Sequence, residues 1–335
     1  MILMSKRFLA AACAAATALA LSACSSAPSS EGNASKDGTL TVMASFYPLQ
    51  YLAEKIGGEH VTVTSLTPAG AEPHDLELSP KTVDALASAD AVVYLAGFQA
   101  AVDEAIEQQA PTTVIDVSPA VELVEANSSA NHPSEDEDAD EAQSGESATE
   151  EHEGHDHEGH HHDMSTDPHF WLDPVRMASA ATLVGDKLAE ADPANADTYK
   201  ANAQALNEEL SALGDDLVAK TATCQIKTFV TAHTAFGYLA DRTGLTQVGI
   251  SGLDPDSSPS PARLAEISQI AKEQGVTTIF TEALIDPKVA QTLADDLGIS
   301  TAVLDPIESQ TDSSKDYAAV MKDNINALTT ANNCQ

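Results

Sequence analysis

The sequence predicts an α/β protein of two βα lobes with mainly parallel sheets, joined by one long rigid helix. Strand-like and helix-like patterns alternate over residues 39–118 and again over 225–330. Between them runs one apolar stripe at helical spacing, Tyr199, Leu206, Leu210, Leu213 and Leu217. At 335 residues the chain can give each lobe a real core.

Taken in order, "TLTVMASF" (39–46) is a strand rich in β-branched residues, and "YPLQYLAEKIGG" a helix closed by glycines. "VTVTSLTP" (61–68) is the second strand. "SPKTVDALASAD" opens a helix with Ser79 as cap and Pro80 in the first turn. "AVVYLAG" (91–97), "QAAVDEAIEQQ" and "TTVIDVS" (112–118) follow as strand, helix and strand. The rhythm breaks near Glu125. Residues 127–163 carry no apolar periodicity and are predicted as a disordered surface insertion. Helices are predicted from Val175 to Glu190 and from near Pro193 to Thr221, the second about 40 Å long. The second half reads "QIKTFVTA" (225–232) strand, "AFGYLADRTG" helix, "TQVGISG" (246–252) strand and "SPARLAEISQIAKEQG" helix capped by Ser260. It closes with "VTTIFTEA" (276–283) strand, "DPKVAQTLADDLG" helix, "STAVLDPI" (300–307) strand and "KDYAAVMKDNINALTT" helix. The expected division is a first lobe over 39–172, a helical segment over 173–222 and a second lobe over 223–335.

The chain holds 52 acidic and 16 basic residues, a formal charge of −36. That balance excludes nucleic acid as a partner, because phosphate binding needs Lys and Arg. It attracts cations. Thirteen of the acids fall between Asn131 and Asp163, with no Lys or Arg among them.

Residues 1–23 read as an export signal. Lys6 and Arg7 precede a short apolar stretch that ends "LSAC" at Cys24, followed by a Ser-rich tether over 24–38. The pattern resembles a bacterial lipobox, which predicts lipidation of Cys24 and anchoring outside the cytoplasm. The plain alternative is a secreted protein with a chance cysteine. Cys224 and Cys334 then remain as an even pair in an oxidising compartment. A bridge between them is expected, with two separate buried thiols as the alternative.

Seven of the eleven histidines lie between Glu151 and Pro174. Ligands of open α/β sheets bind at the carboxyl ends of strands. His74, in "PAGAEPHDLELSP", follows the strand 61–68, and His233, in "FVTAHTAFGY", follows the strand 225–232. His169, in "STDPHFWLDP", sits where the chain returns from the insertion. Each alone reads as a hydrogen-bonded loop histidine. Three at strand-end loops flanking one cleft could meet on a metal. His60 reads as an exposed strand-edge residue, and His132 lies isolated in the insertion.

"GAEPHDLELSP", "DPHFWLDP", "AHTAFGYLADRTGL" and "GISGLDPDSSPSPARLAEI" together resemble the metal-binding lipoproteins of ABC-type zinc importers, the ZnuA, AdcA and laminin-binding Lmb group. The likeness runs in order from about Thr39 to the C-terminus. It implies two lobes joined by a long helix, with Zn2+ held between them by His74, His169 and His233. A manganese branch of the family carries Glu at the third position, so His233 implies zinc. For the fourth ligand, alignment with the Lmb group points to Glu308 and alignment with the manganese branch to Asp305. Glu282, which ends another predicted strand, is a third option, and water a fourth.

The remaining six histidines, His152, His155, His157, His160, His161 and His162, are read as accessory, weak metal ligands, against the plain reading of a solvated tail. "HEGHH" (157–161) matches a zinc-protease motif, but that motif works only on a helix, and Gly154 and Gly159 discourage one. Three functions remain. The first is a zinc-binding module, expected to be a monomer, that serves an ABC permease. The second is a surface adhesin with a structural zinc. A secreted metallohydrolase is the least supported, because no positioned base accompanies the histidines.

Overall fold

The computed structural model describes residues 39–126 and 166–335. The signal, Cys24, the tether, His132 and the six clustered histidines lie outside the described residues.

In the first lobe, strands β1 (Leu40–Ala44), β2 (Val61–Ser65), β3 (Ala91–Tyr94) and β4 (Val114–Asp116) form a parallel sheet in the order β2-β1-β3-β4. Helices α1 (Tyr47–Gly57), α2 (Pro80–Leu86), α3 (Ala100–Gln109) and a single turn, α4 (Ser118–Val121), alternate with the strands. The second lobe repeats the plan with β5 (Thr228–Thr231), β6 (Thr246–Gly249), β7 (Thr278–Thr281) and β8 (Ser300–Val303) in the order β6-β5-β7-β8, again all parallel. Its helices are α7 (Gly237–Thr243), α8 (Pro261–Glu273), α9 (Lys288–Leu297) and α10 (Tyr317–Ala331). Between the sheets lie α5 (Pro174–Ala191) and α6 (Ala196–Thr221). Both sheets belong to one compact unit.

The expected caps form. Ser79 Oγ accepts the Thr82 amide and Ser260 Oγ the Arg263 amide, each with proline in the first helical turn. The stripe on α6 is buried throughout, at Tyr199, Leu206, Leu210, Leu213 and Leu217. α6 lies along α5 and touches α1 on one side and α7 and α10 on the other. Two glycines set that spacing. A Cβ on Gly185 would meet the Ala203 Cβ at 2.3 Å, and one on Gly214 the Val175 Cγ2 at 2.7 Å. One continuous apolar core runs from Val42 and Leu52 through Trp171, Leu188 and Leu210 to Phe229 and Ile325. Smaller cores sit around Leu86 and Val102 in the first lobe and around Ile267 and Ile279 in the second. Among the described residues no helix is long and apolar enough to cross a membrane.

Three expectations need correction. The strands are shorter than their sequence patterns: "QIKTFVTA" pairs only over 228–231 and "STAVLDPI" only over 300–303. The flanking residues take other partners: the Gln225 and Ile226 N–H groups donate to the Asn333 and Asn332 carbonyls, and Asp305 Oδ1 accepts the Ile307 N–H. The α4 turn was not expected. His60 is not an exposed strand residue; it ends a 3-10 turn before β2 and sets its ring edge-on against Tyr199 at 6.1 Å.

Candidate metal centre

Parallel strands put their carboxyl ends on one edge of each sheet, and three of the four candidate ligands come from loops after those ends. His74 lies in the loop after β2, His233 in the turn after β5 and Glu308 in the loop after β8. His169 sits at the head of the 3-10 turn Phe170–Leu172 that leads into α5. The cleft edge between β5 and β7 is the point where chain connections leave in opposite directions, a usual ligand position in such sheets.

Ligand atoms of His74, His169, His233 and Glu308 all lie within 4.8 Å of one another. Glu308 Oε1 is 3.5 Å from His74 Nε2, 3.2 Å from His169 Nε2 and 3.3 Å from His233 Nε2. His74 Nε2 and His169 Nε2 are 3.3 Å apart. A tetrahedron with metal–ligand bonds of about 2.0–2.1 Å has edges of about 3.3–3.4 Å, so these separations fit a four-coordinate zinc. His233 Nε2 and Glu308 Oε1 are buried and make no hydrogen bond. A buried acceptor without a donor is costly unless a cation fills the space.

Two imidazoles are oriented by carboxylates behind them. Asp167 Oδ1 lies 2.8 Å from His169 Nδ1 and also accepts the His169 backbone N–H at 2.9 Å. Glu282 Oε2 lies 2.6 Å from His233 Nδ1, and its Oε1 accepts the His233 N–H at 3.0 Å. Each pair assigns the ring proton to Nδ1 and leaves Nε2 free to bind a cation. The loops are pinned as well. Gln99 Nε2 donates to Pro73 C=O at 3.0 Å, one residue before His74, and Gln247 Nε2 to His233 C=O at 3.1 Å. Phe98 meets the His74 ring edge-on at 4.9 Å and Trp171 lies 5.3 Å from His169, so aromatic faces wall the site.

Electrostatics follow from burial and these partners. Burial lowers the His169 and His233 imidazoles, but it is outweighed by Asp167 and Glu308 at the first and by Glu282 and Glu308 at the second. His169 ends above its ordinary value, and His233 well above it. His74 has no such backing, so burial takes it below the ordinary value. Burial raises Glu308, yet the three imidazoles reverse this and hold it well below the usual carboxylate range.

The structure thus brings together His74, His169, His233 and Glu308. It sets Glu282 behind His233 and turns Asp305 back into its own loop, where Oδ1 accepts the Ile307 N–H at 2.8 Å. Sequence reasoning missed the residues that hold the lobes together at the site. Trp171 Nε1 donates to Pro306 C=O at 2.7 Å, two residues from Glu308, and the Tyr317 hydroxyl donates to Trp171 C=O. The Gly70 N–H reaches Ser309 Oγ at 2.7 Å. The Tyr238 hydroxyl on α7 accepts the Val124 N–H and donates to Asp167 C=O, bracing the chain on both sides of residues 127–165. Arg242 forms a two-pronged pair with buried Asp173, at 2.8 and 2.6 Å. The one local signal is an acid two residues before His169, the spacing of a side chain that caps its own loop. Far from the site, Cys224 and Cys334 form a disulfide.

The model of the family described as "Zinc-uptake complex component A periplasmic", ZnuA, matches residues 42–331. The zinc-binding protein AdcA of Streptococcus pyogenes serotype M3 is 34% identical over 307 residues, covering 87% of this chain and 56% of that protein. The chain spans about half the length of that curated relative. The high-affinity zinc uptake system protein ZnuA of Bacillus subtilis is 34% identical over 322 residues, covering 94% of both chains. Among solved structures, the laminin-binding protein Lmb of Streptococcus agalactiae, described as bifunctional with adhesin and metal-transporting activity, superposes with a TM-score of 0.73 at 29% identity, covering 87% of this chain and 99% of that one. The Zn(II)-bound ZnuA-like domain of Streptococcus pneumoniae AdcA gives a TM-score of 0.69 at 29% identity, covering 88% and 99%. With its family model spanning both sheets and the Bacillus subtilis protein matched over 94% of both chains, the chain belongs to the ZnuA family of periplasmic zinc-uptake components.

Proposed function

We propose that this chain captures Zn2+ outside the cytoplasm and delivers it to an ABC-type membrane permease, held at the membrane by a lipid on Cys24. The observation that carries this reading is the quartet of His74, His169, His233 and Glu308, whose spacings suit a tetrahedral cation. Three nitrogens and one oxygen favour zinc over manganese, which prefers oxygen. The ion is cargo, and the chain's work is to bind and orient it. Glu308 closes the fourth position, whereas hydrolysis would need an open one and a positioned base. His152, His155, His157, His160, His161 and His162 serve as weak accessory ligands that exchange metal with the cleft.

The test is a chelator-competition titration of the mature chain with zinc and with manganese. One tight zinc site and markedly weaker manganese binding are expected, and equal affinities would refute the reading. Deleting 131–163 should keep the tight site and remove the weak ones. A second reading, adhesion to matrix protein, is favoured by the likeness to Lmb. It predicts binding to immobilised laminin that survives loss of the metal site.

A further inference from the structure

Glu308 owes its aim to a backbone conformation that its neighbour resists. Ile307 has φ of +57°, in the left-handed region, and is buried. A β-branched side chain disfavours that region, and such a residue persists only where its surroundings over-determine it. The surroundings here are specific. Asp305 Oδ1 accepts the Ile307 N–H at 2.8 Å, which closes the turn. Asp305 is in turn gripped by Asn324, a buried residue on α10. Asn324 Oδ1 accepts the Asp305 N–H at 2.9 Å, and its Nδ2 donates to the Asp305 C=O at 2.6 Å. Because one partner is a donor and the other an acceptor, the amide can be oriented in only one way.

We propose that Asn324 is a positioning residue for the Glu308 carboxylate. It fixes Asp305, Asp305 fixes the left-handed turn at Ile307, and that turn sends the Glu308 side chain toward the three Nε2 atoms. Released from the grip, Ile307 relaxes to a right-handed or extended backbone, and the carboxylate turns away. Asn324 itself touches no ligand atom, so its effect on the site passes through Glu308. The proposal rests on the reading of the quartet as a zinc site. It adds a residue that sets how firmly the one oxygen ligand is held.

The experiment is a double-mutant cycle on the mature chain. Zinc affinity is measured by chelator competition for wild type, Asn324→Ala, Glu308→Ala and the double variant, alongside the visible spectrum of the Co2+-loaded forms. Asn324→Ala should lower affinity by about tenfold or more, the scale of losing an outer partner of a metal ligand. In the Glu308→Ala background it should change affinity by less than about twofold, because coupled residues do not add. Its cobalt spectrum should shift toward that of Glu308→Ala. Additive losses, or an unchanged affinity for Asn324→Ala, overturn the proposal. Should Asn324→Ala fail to fold, Asn324→Asp keeps the acceptor for the Asp305 N–H but sets an oxygen against its C=O. The same cycle is expected from it, and additivity there is equally fatal. If Glu308→Ala binds zinc as tightly as wild type, the assignment of Glu308 to the site fails and takes the proposal with it.

Discussion

Glu282→Gln is the sharpest perturbation of the centre, because it changes one atom and leaves shape alone. The two Glu282 oxygens face two donors on one residue, the His233 ring at 2.6 Å and the His233 backbone N–H at 3.0 Å. A glutamine offers one acceptor and one donor. If its oxygen faces the backbone, its NH2 faces Nδ1, and the ring must move its proton to Nε2, the atom aimed at the cation. If its oxygen faces the ring, a buried backbone N–H is left against an NH2. An unsatisfied buried donor costs about 1–3 kcal/mol. At about 1.4 kcal/mol per tenfold, that is about 5- to 150-fold in zinc affinity, the scale known for outer-shell partners. Asp167→Asn is the control. Both His169 bonds end on the single oxygen Oδ1, which an amide retains, so its loss should be the smaller of the two. The assay is chelator competition at fixed pH, with melting of each metal-free variant to check folding. A Glu282→Gln variant that binds zinc as tightly as wild type, or an Asp167→Asn variant that binds more weakly than it, would refute the reasoning.

His169→Ala removes a ligand outright and should cost more than the about 100-fold that an outer partner costs, while His157→Ala and His161→Ala leave the tight site intact in the same titration. Reducing the Cys224–Cys334 bridge, which closes 110 residues, should lower stability by about 2–5 kcal/mol in chemical denaturation; zinc affinity should not change, because Cys224 lies before β5 and the ligands lie after the strands. Asp173→Ala strips the partner from Arg242, which water can reach, and the cap from the Val175 N–H, and a loss of about 1–3 kcal/mol is expected by denaturation of the metal-free protein. Zinc affinity should fall with acid, since protons compete for the imidazoles. His169 and His233 are raised, so that competition starts above their ordinary value of about 6.5. The same raised groups stabilise the metal-free fold below about pH 6.5, and that contribution fades as pH climbs through their folded values, which melting against pH would detect.

Local signals carried most of the fold. Proline after Ser79 and Ser260 marked two helix starts, and the α6 stripe announced the helix between the sheets. His74 and His233 were legible because strand-end loops are where such sheets bind ligands. What stayed hidden depends on distant partners. Glu282 is 49 residues from the histidine it orients, and Trp171 is 135 residues from Pro306. Glu308 was preferred to Asp305 only through the likeness to the Lmb group, because the left-handed φ at Ile307 and the Asn324 amide that holds Asp305 leave no trace in residue spacing. Strand ends were overestimated because β-branched residues favour a strand equally in a ladder and just beyond it.

The charges around the quartet explain why one divalent ion suits it. Glu308, Glu282 and Asp167 bring three buried carboxylates to three imidazoles. Burial first and Glu308 second push Glu72, near His74, up to about 8. An interior cannot hold that much unbalanced negative charge, so positive charge must enter with it. The carboxylates therefore favour cations beside them, and this is why the His169 and His233 imidazoles rise while His74, lacking a carboxylate behind it, falls. A zinc ion supplies positive charge where the ligand atoms converge. Zinc binding at this quartet is therefore expected to release protons, because the imidazoles must be neutral to ligate. The same accounting shows what Glu282→Gln does beyond geometry. It removes the first of the carboxylates that raise His233, so burial draws that imidazole lower, toward the case of His74.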